Sequence, residues 1–216
     1  MAVAPLNSYK TIAVPVAPGN QLVYTVPVGV SAILLYAQVA NVAAATTTPN
    51  TTLTFKRNYN ITGNATQTSI IKNGVVYPND TLVIIDGRLV LENTAIYTDS
   101  LILSGNQVGI VSVYNCTYNN TTGITTVTTK SAHNFSVNDQ ITMSGLAFTC
   151  SGTTGLTTTI YPYPQTSFTV TNVGTSTIFT TQAGVISGIA HTYVSGGQVG
   201  PLQMEFVCSI LENSTS

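Results

Sequence analysis

Charge is what this sequence has least of. Thirteen of its 216 residues are formally charged, six basic and seven acidic, for a net of −1. Soluble globular domains carry about 25% charged residues, against 6% here. A folded monomer of this length exposes on the order of 9,500 Å², roughly one charge per 700 Å², and a surface with so little mutual repulsion tends to associate. The composition therefore points to an assembly component whose surfaces end up buried. The basic residues Lys10, Lys56, Arg57, Lys72, Arg88 and Lys130 are scattered. They form no stripe to neutralise phosphates, which excludes nucleic acid as a partner.

Other absences narrow the class further. Cys116, Cys150 and Cys208 are odd in number, widely spaced and without a CxxC pair, so cytoplasmic free thiols are expected. A Cys116–Cys150 disulfide would need an oxidising compartment that nothing else supports. His133 and His191 are the only histidines, and with Cys116 and Cys150 they make a conceivable four-ligand set. Zinc ligands come in close pairs, whereas these are separated by 17, 17 and 41 positions, so no metal or other cofactor is expected. Met1–Lys10 has none of the basic, apolar and small-residue regions of a signal peptide, and export is not expected. No charge occurs between Lys10 and Lys56, yet Pro27, Gly29, Ser31, Gln38 and Asn41 interrupt the apolar stretch. Its core, Ala32–Ala37, is far shorter than the about 20 residues a bilayer span needs, so no membrane span is expected. No GxSxG, phosphate-loop or dinucleotide fingerprint occurs.

Helical periodicity is also missing, and what fills the chain is Thr, Val, Ile, Asn and Ser with turn signals every 8 to 12 residues. That is the texture of an all-β sandwich or barrel. Strands are expected at Thr11–Val16, Gln21–Val26, Ser31–Val42, Thr51–Asn58, Thr68–Lys72, Thr81–Ile85, Arg88–Leu91, Ser100–Leu103, Gly109–Tyr114 and Leu202–Leu211. Turns are expected at Pro18-Gly19-Asn20, Pro78-Asn79-Asp80, Asp86-Gly87 and Gly105-Asn106, where Gly and Asn tolerate positive φ. Between Asn115 and Gly200 the texture changes to Thr, Gly and Ser, with Lys130 and Asp139 the only charges. Strands there are expected at Ile124–Thr129, Gln140–Met143, Ala147–Cys150, Ser167–Asn172, Thr177–Thr181 and Ile189–Ser195. The fold class expected is therefore a jelly-roll-like antiparallel β-sandwich, residues 1–114 plus 201–216, interrupted before its last strand by a small β-domain, residues 115–200. Such an insert fits an exposed turn between antiparallel neighbours, here Gly109–Tyr114 and Leu202–Leu211.

Candidate chemistry is sparse. Asp80, Asp86, Glu92 and Asp99 cluster in sequence, and two of them across a cleft would be the requirement for glycoside hydrolysis, but Asp80 and Asp86 sit in turn contexts where short acids cap the backbone. Tyr161, Tyr163, Phe168 and Tyr193 lie among small polar residues. They suit either a contact surface, since a rigid ring gives area at low entropic cost, or a small core.

Two resemblances carry function. Tyr24-Thr25-Val26-Pro27-Val28-Gly29-Val30-Ser31-Ala32-Ile33, Gln38-Val39-Ala40-Asn41-Val42, Thr52-Leu53-Thr54-Phe55, Gly87-Arg88-Leu89-Val90-Leu91-Glu92 and Ser209-Ile210-Leu211-Glu212 together resemble a β-sandwich domain of tailed-phage virion proteins, especially those of marine phages including cyanophages. In those relatives the last words lie shortly after one another, whereas 116 residues separate Glu92 from Ser209 here, as an insertion requires. The insert resembles a module of cyanophage structural proteins through Ser131-Ala132-His133-Asn134-Phe135-Ser136-Val137-Asn138-Asp139-Gln140-Ile141-Thr142, Phe148-Thr149-Cys150, Tyr161-Pro162, Phe168-Thr169-Val170 and His191-Thr192-Tyr193-Val194-Ser195. The module often has Gly where this chain has Asn134 and Asn138, and Asn is the next-best residue for a left-handed turn.

The resemblances imply a non-enzymatic virion structural protein located in the particle and assembled in the bacterial cytoplasm. A capsid decoration protein is preferred, homo-oligomeric and favoured as a trimer, with other virion proteins, the major capsid or tail proteins, as partners. The alternatives are a tail, neck, baseplate or fibre-associated attachment protein and, from another class, a virion-bound glycan hydrolase. The expected interface or exposed contact residues are Val26, Val28, Tyr36, His133, Phe135, Tyr161, Tyr163, His191 and Tyr193.

Overall fold

The computed structural model describes residues 7–43, 46–152, 155–160, 166–184 and 189–214, with 151, 152 and 155–160 described by their backbone alone. All regular structure among them is β. The first seven strands are β1 (Asn7–Pro15), β2 (Gly19–Thr25), β3 (Val30–Asn41), β4 (Asn50–Tyr59), β5 (Ala65–Val75), β6 (Thr81–Glu92) and β7 (Tyr97–Asn106). The next seven are β8 (Val111–Tyr118), β9 (Ile124–Thr129), β10 (Gln140–Gly152), β11 (Gly155–Ile160), β12 (Ser167–Thr175), β13 (Ile178–Gln182) and β14 (Ala190–Pro201), and the chain closes with β15 (Met204–Ser214). Two compact units result, one holding β1–β7 and β15, the other Pro15–Gly19 and Gln107–Leu202.

The first unit is a jelly roll. Its two four-stranded sheets run β1-β15-β3-β6 and β2-β7-β4-β5. The chain changes sheet at every connection but the β4–β5 hairpin, the double Greek key of that fold. Period-two alternation builds the core. On β15, Met204, Phe206, Cys208 and Ile210 are buried in turn, and on the paired β3 so are Ala32 and Leu34, then Ala37 and Val39. The skip of one residue at Leu35 coincides with the register shift opposite Ser209/Ile210. This bulge resets the phase, so that both halves of the strand keep their apolar side inward.

Three local expectations change. The Gly109–Tyr114 segment was expected beside the last strand, but β15 pairs with β3, and β8 pairs with β9 and β14 in the second unit. Apolar alternation specifies which face is buried and leaves the neighbour open, and in a jelly roll the last strand returns between the first and third. Asp86-Gly87 forms no turn: Thr81–Glu92 is one strand, and the pair falls at the register shift against Leu34/Tyr36. The turn expected at Gly105-Asn106 falls instead at Val108-Gly109, where Gly109 has φ of 88°. Asn79 at φ 57° and Gly19 at φ 74° take the left-handed turns expected of them.

The second unit is a closed barrel. Strand neighbours run β10-β12-β13-β9-β8-β14, and β14 pairs again with β10 to complete the ring. Closure leaves those six strands without a free edge. β10 is a single bulged strand where two were expected, and its second half also carries β11, a strand the sequence pattern did not signal. Val113, Cys116, Val127, Ile141, Met143, Leu146, Phe148, Phe168, Val170, Phe179 and Val199 fill the interior.

Candidate functional site

The His133–Gln140 segment carries most of the module-like word, and it serves the barrel's interior. Asn134 and Asn138 stand at φ 57° and 75°, the left-handed turns for which Asn replaces Gly at small cost. His133 Nδ1 accepts the Phe135 N–H at 2.9 Å, so the ring proton sits on Nε2, which donates to Thr175 O at 3.2 Å. The two rings stack at 5.0 Å and both meet Phe179 edge-on, at 5.1 and 5.4 Å. Asp139 accepts the Ser136 N–H at 2.7 Å. His133 and Phe135, expected at a contact surface, are buried. Their physical reason is plain: a ring pair with its polar atoms satisfied by the backbone belongs in a core. Val26 is likewise buried in the jelly roll.

Of the remaining expected contact residues, Val28 is 90% exposed in the β2–β3 connection. Tyr36 is half-buried on β3 and donates to Gln38 Oε1 at 2.7 Å. Tyr161 and Tyr163 lie outside the described residues. His191 and Tyr193 come together on β14, and the structure adds partners that the sequence reading missed.

Those partners line an interrupted seam of the barrel. β14 pairs β8 at Thr192↔Thr117 and again at Gln198↔Ser112 and Val199↔Val111, with the register shifted between. Gly196 and Gly197 at φ 79° and 98° accompany the interruption. Neither tolerates a side chain, since a Cβ would come within 2.7 Å of Gly145 O at Gly196 and within 2.6 Å of Leu146 Cδ2 at Gly197. Tyr118 packs edge-on to His191 at 5.1 Å, and Phe148 meets Tyr193 at 5.8 Å. Tyr193 donates its hydroxyl to Gly196 O at 2.7 Å, and Tyr118 donates to Gly184 O at 2.7 Å. A hollow of about 310 Å³ opens over Asn115, Cys116, Thr117, Tyr118, His191, Thr192 and Tyr193. The signal was present in Tyr114-Asn115-Cys116-Thr117-Tyr118, an amide and a hydroxyl between two rings. A domain boundary placed after Tyr114 divided that word.

Cys150 and His191 are cross-strand partners, and Sγ contacts Nδ1. Burial pushes the thiol up and the imidazole down from their ordinary values. Both shifts favour the neutral forms, the reverse of what activates a cysteine nucleophile. Burial alone raises Cys116 to about 12. Of the four residues weighed as metal ligands, the structure joins Cys150 with His191 and places His133 with Phe135 and Phe179. Among the described residues no group of three or more His, Cys, Asp or Glu side chains could hold a metal ion.

The clustered carboxylates do not converge on a cleft. Asp99 is wholly buried and takes Arg57 Nε and Nη2 at 2.7 and 2.8 Å and the Glu92 N–H at 3.0 Å. Arg57 stacks over Tyr97 at 3.7 Å, and Tyr97 donates to Glu92 at 2.5 Å. Asp80 accepts the Thr81 N–H at 2.7 Å, a turn cap. Asp86 sits at the β6 bulge opposite Tyr36.

No protein-family model and no curated protein matches the chain. Among solved structures it has a likeness to the stem and receptor binding domain of the spike protein P1 from bacteriophage PM2, at 8% identity over 99% of each chain with a TM-score of 0.23. A second likeness is to the N-terminal CBM22-1-CBM22-2 tandem domain of Paenibacillus barcinonensis Xyn10C, at 9% identity over 98% of this chain and 94% of that one, with a TM-score of 0.24. A third is to the STIV MCP, at 9% identity over 97% and 95%, with a TM-score of 0.21. Scores so low carry no argument; the fold rests on the sheet order itself.

Proposed function

We propose that this chain is a non-enzymatic structural component of a phage virion, a decoration or accessory protein on the capsid surface that works as a homo-oligomer, with three chains favoured. The observation that carries the reading is where the few charges go. Glu212 is buried and receives Lys10 Nζ and the Tyr24 hydroxyl, each at 2.8 Å. Arg57 and Asp99 close on each other, with Asp99 wholly buried. A surface already poor in charge is thus left poorer.

The outer face of the β1-β15-β3-β6 sheet fits a contact between copies or with the shell. Ile33 lies between Val90 and Leu211, and Gln38 between Val83 and Val207, as cross-strand partners on one face. Val90 and Val83 are 54% and 47% exposed. Tyr36 stands between the two rows. The jelly roll is a fold that capsid proteins share with lectins and cupins, so topology alone does not select among them. The resemblance to tailed-phage virion domains favours the first.

Cryo-electron microscopy of the intact particle tests the assignment. Density for the jelly roll on the capsid shell is the expected result, and density confined to the tail, neck or baseplate would replace decoration with the attachment reading. Hydrolysis of host polysaccharide that vanished in Asp86→Asn or Glu92→Gln would overturn the non-enzymatic reading.

A further inference from the structure

The barrel seam has a continuation. Along β8 from Ser112 to Tyr118, about 20 Å of strand, hollows of about 490, 310 and 620 Å³ follow one another. The first two share Tyr193, and the last two share Thr117 and Tyr118. Their lining is mostly Tyr, Asn, Thr and Ser, with Val113, Val194, Ile124, Cys116 and His191 among them and Lys130 the one Lys, Arg, Asp or Glu side chain. Tyr114, at the first hollow, is 69% exposed. Asn115 uses its oxygen to accept the Cys116 N–H at 2.9 Å, which leaves its NH₂ to donate.

We propose that this seam is a saccharide-binding cleft that takes a neutral oligosaccharide. A sugar ring has an apolar C–H face and a rim of hydroxyls. Recognition therefore needs flat aromatic surface beside groups that both donate and accept. Tyr rings supply the first at low entropic cost, and Thr hydroxyls and Asn amides supply the second. A nearly uncharged lining matches an uncharged ligand, because no carboxylate or ammonium has to be stripped of water when the ligand seats.

The same interruption of the β8–β14 ladder could be read as an edge for an added peptide strand. The backbone argues against it: Gly196 and Gly197 at positive φ are out of the extended conformation that a strand partner needs, so pairing would stop after Ser195. The inference rests on the barrel alone and stands or falls separately from the virion assignment.

Saturation-transfer NMR of the full chain with cellohexaose, maltohexaose, laminarihexaose and xylohexaose is the test. Transfer to at least one of them is expected, with about tenfold weaker binding in Tyr114→Ala and a measurable loss in Asn115→Ala. Both side chains are exposed, so these variants keep the fold, which amide spectra verify. Three results would overturn the proposal: no transfer to any of the four, binding that is unchanged in both variants, or perturbation of the seam by an extended Thr/Val decapeptide and by none of the sugars.

Discussion

The jelly roll and the barrel are made from the same threonine-rich, charge-poor chain and solve opposite problems with it. The jelly roll holds eleven of the thirteen charged residues and turns the most buried of them inward, Asp99 against Arg57 and Glu212 against Lys10 and Tyr24. Its sheets end in free edges at β1, β6, β2 and β5. The barrel holds only Lys130 and Asp139 and closes its ring by pairing β14 with β10, with one ladder, β8–β14, interrupted. A closed, nearly uncharged barrel has little need of a partner for its backbone, whereas an open sandwich that exposes Val83 and Val90 on one sheet face does. The difference fits the proposed division, assembly through the first unit and ligand contact through the second.

If the two cores are separate, truncating one leaves the other standing. Phe206 and Phe179 are fully buried, one in each unit, and truncating a buried Phe to Ala costs about 3–5 kcal/mol. In urea unfolding followed by amide NMR, Phe206→Ala is expected to lower the midpoint of jelly-roll amides and Phe179→Ala that of barrel amides. Equal shifts of both sets in either variant would make the molecule one cooperative unit. Next in size is Arg57→Ala, which strands the wholly buried Asp99 carboxylate. A loss of about 3 kcal/mol is expected, since removing one partner leaves a buried charge uncompensated, and it should appear in jelly-roll amides alone.

Alkaline pH sharpens the contrast through the thiols. Burial raises Cys116 in the barrel from 9.0 to about 12 and Cys208 in the jelly roll to about 11. Because the folded value is the higher one, this contribution is fully present below pH 9 and drains away as pH rises toward the folded value. Each thiol then costs about 1.4 kcal/mol per pH unit. Urea midpoints between pH 8 and 11 should fall less steeply for barrel amides in Cys116→Ala and for jelly-roll amides in Cys208→Ala.

How much of this was legible in the sequence differs between the units for a physical reason. Apolar alternation finds strand centres, because burial of one face is a local property: Ser31–Val42 matches the observed Val30–Asn41, while Thr68–Lys72 and Ser100–Leu103 fall three residues short at each end of Ala65–Val75 and Tyr97–Asn106. Strand neighbours are not local, so the last strand was set beside the wrong partner. Gly155–Ile160 was missed because Leu156 and Ile160 bracket a threonine run with no alternation to read. At the site, His191 and Tyr193 were visible as polar-aromatic residues, while Tyr118 became a partner only when barrel closure brought β8 to β14. His133 and Phe135 are expected at a contact surface, and left-handed Asn134 instead folds the segment so that both rings enter the core.

Asn138→Ala should cost about 1 kcal/mol by forcing a Cβ into the left-handed region without an amide to stabilise it, while Asn138→Gly should be neutral or better. Thermal melts of the two variants distinguish them, and equal melting points would remove the backbone explanation for the asparagine.

On the proposed reading this charge-poor chain works as part of an assembly, through its jelly roll. Multi-angle light scattering of the full chain, run from low to high micromolar concentration, measures that directly. A mass corresponding to a closed oligomer, three chains in the favoured case, is the predicted result, reduced when Val90→Lys and Leu211→Lys place charge on the outer sheet face. A monomer at every concentration would rule the assembly role out.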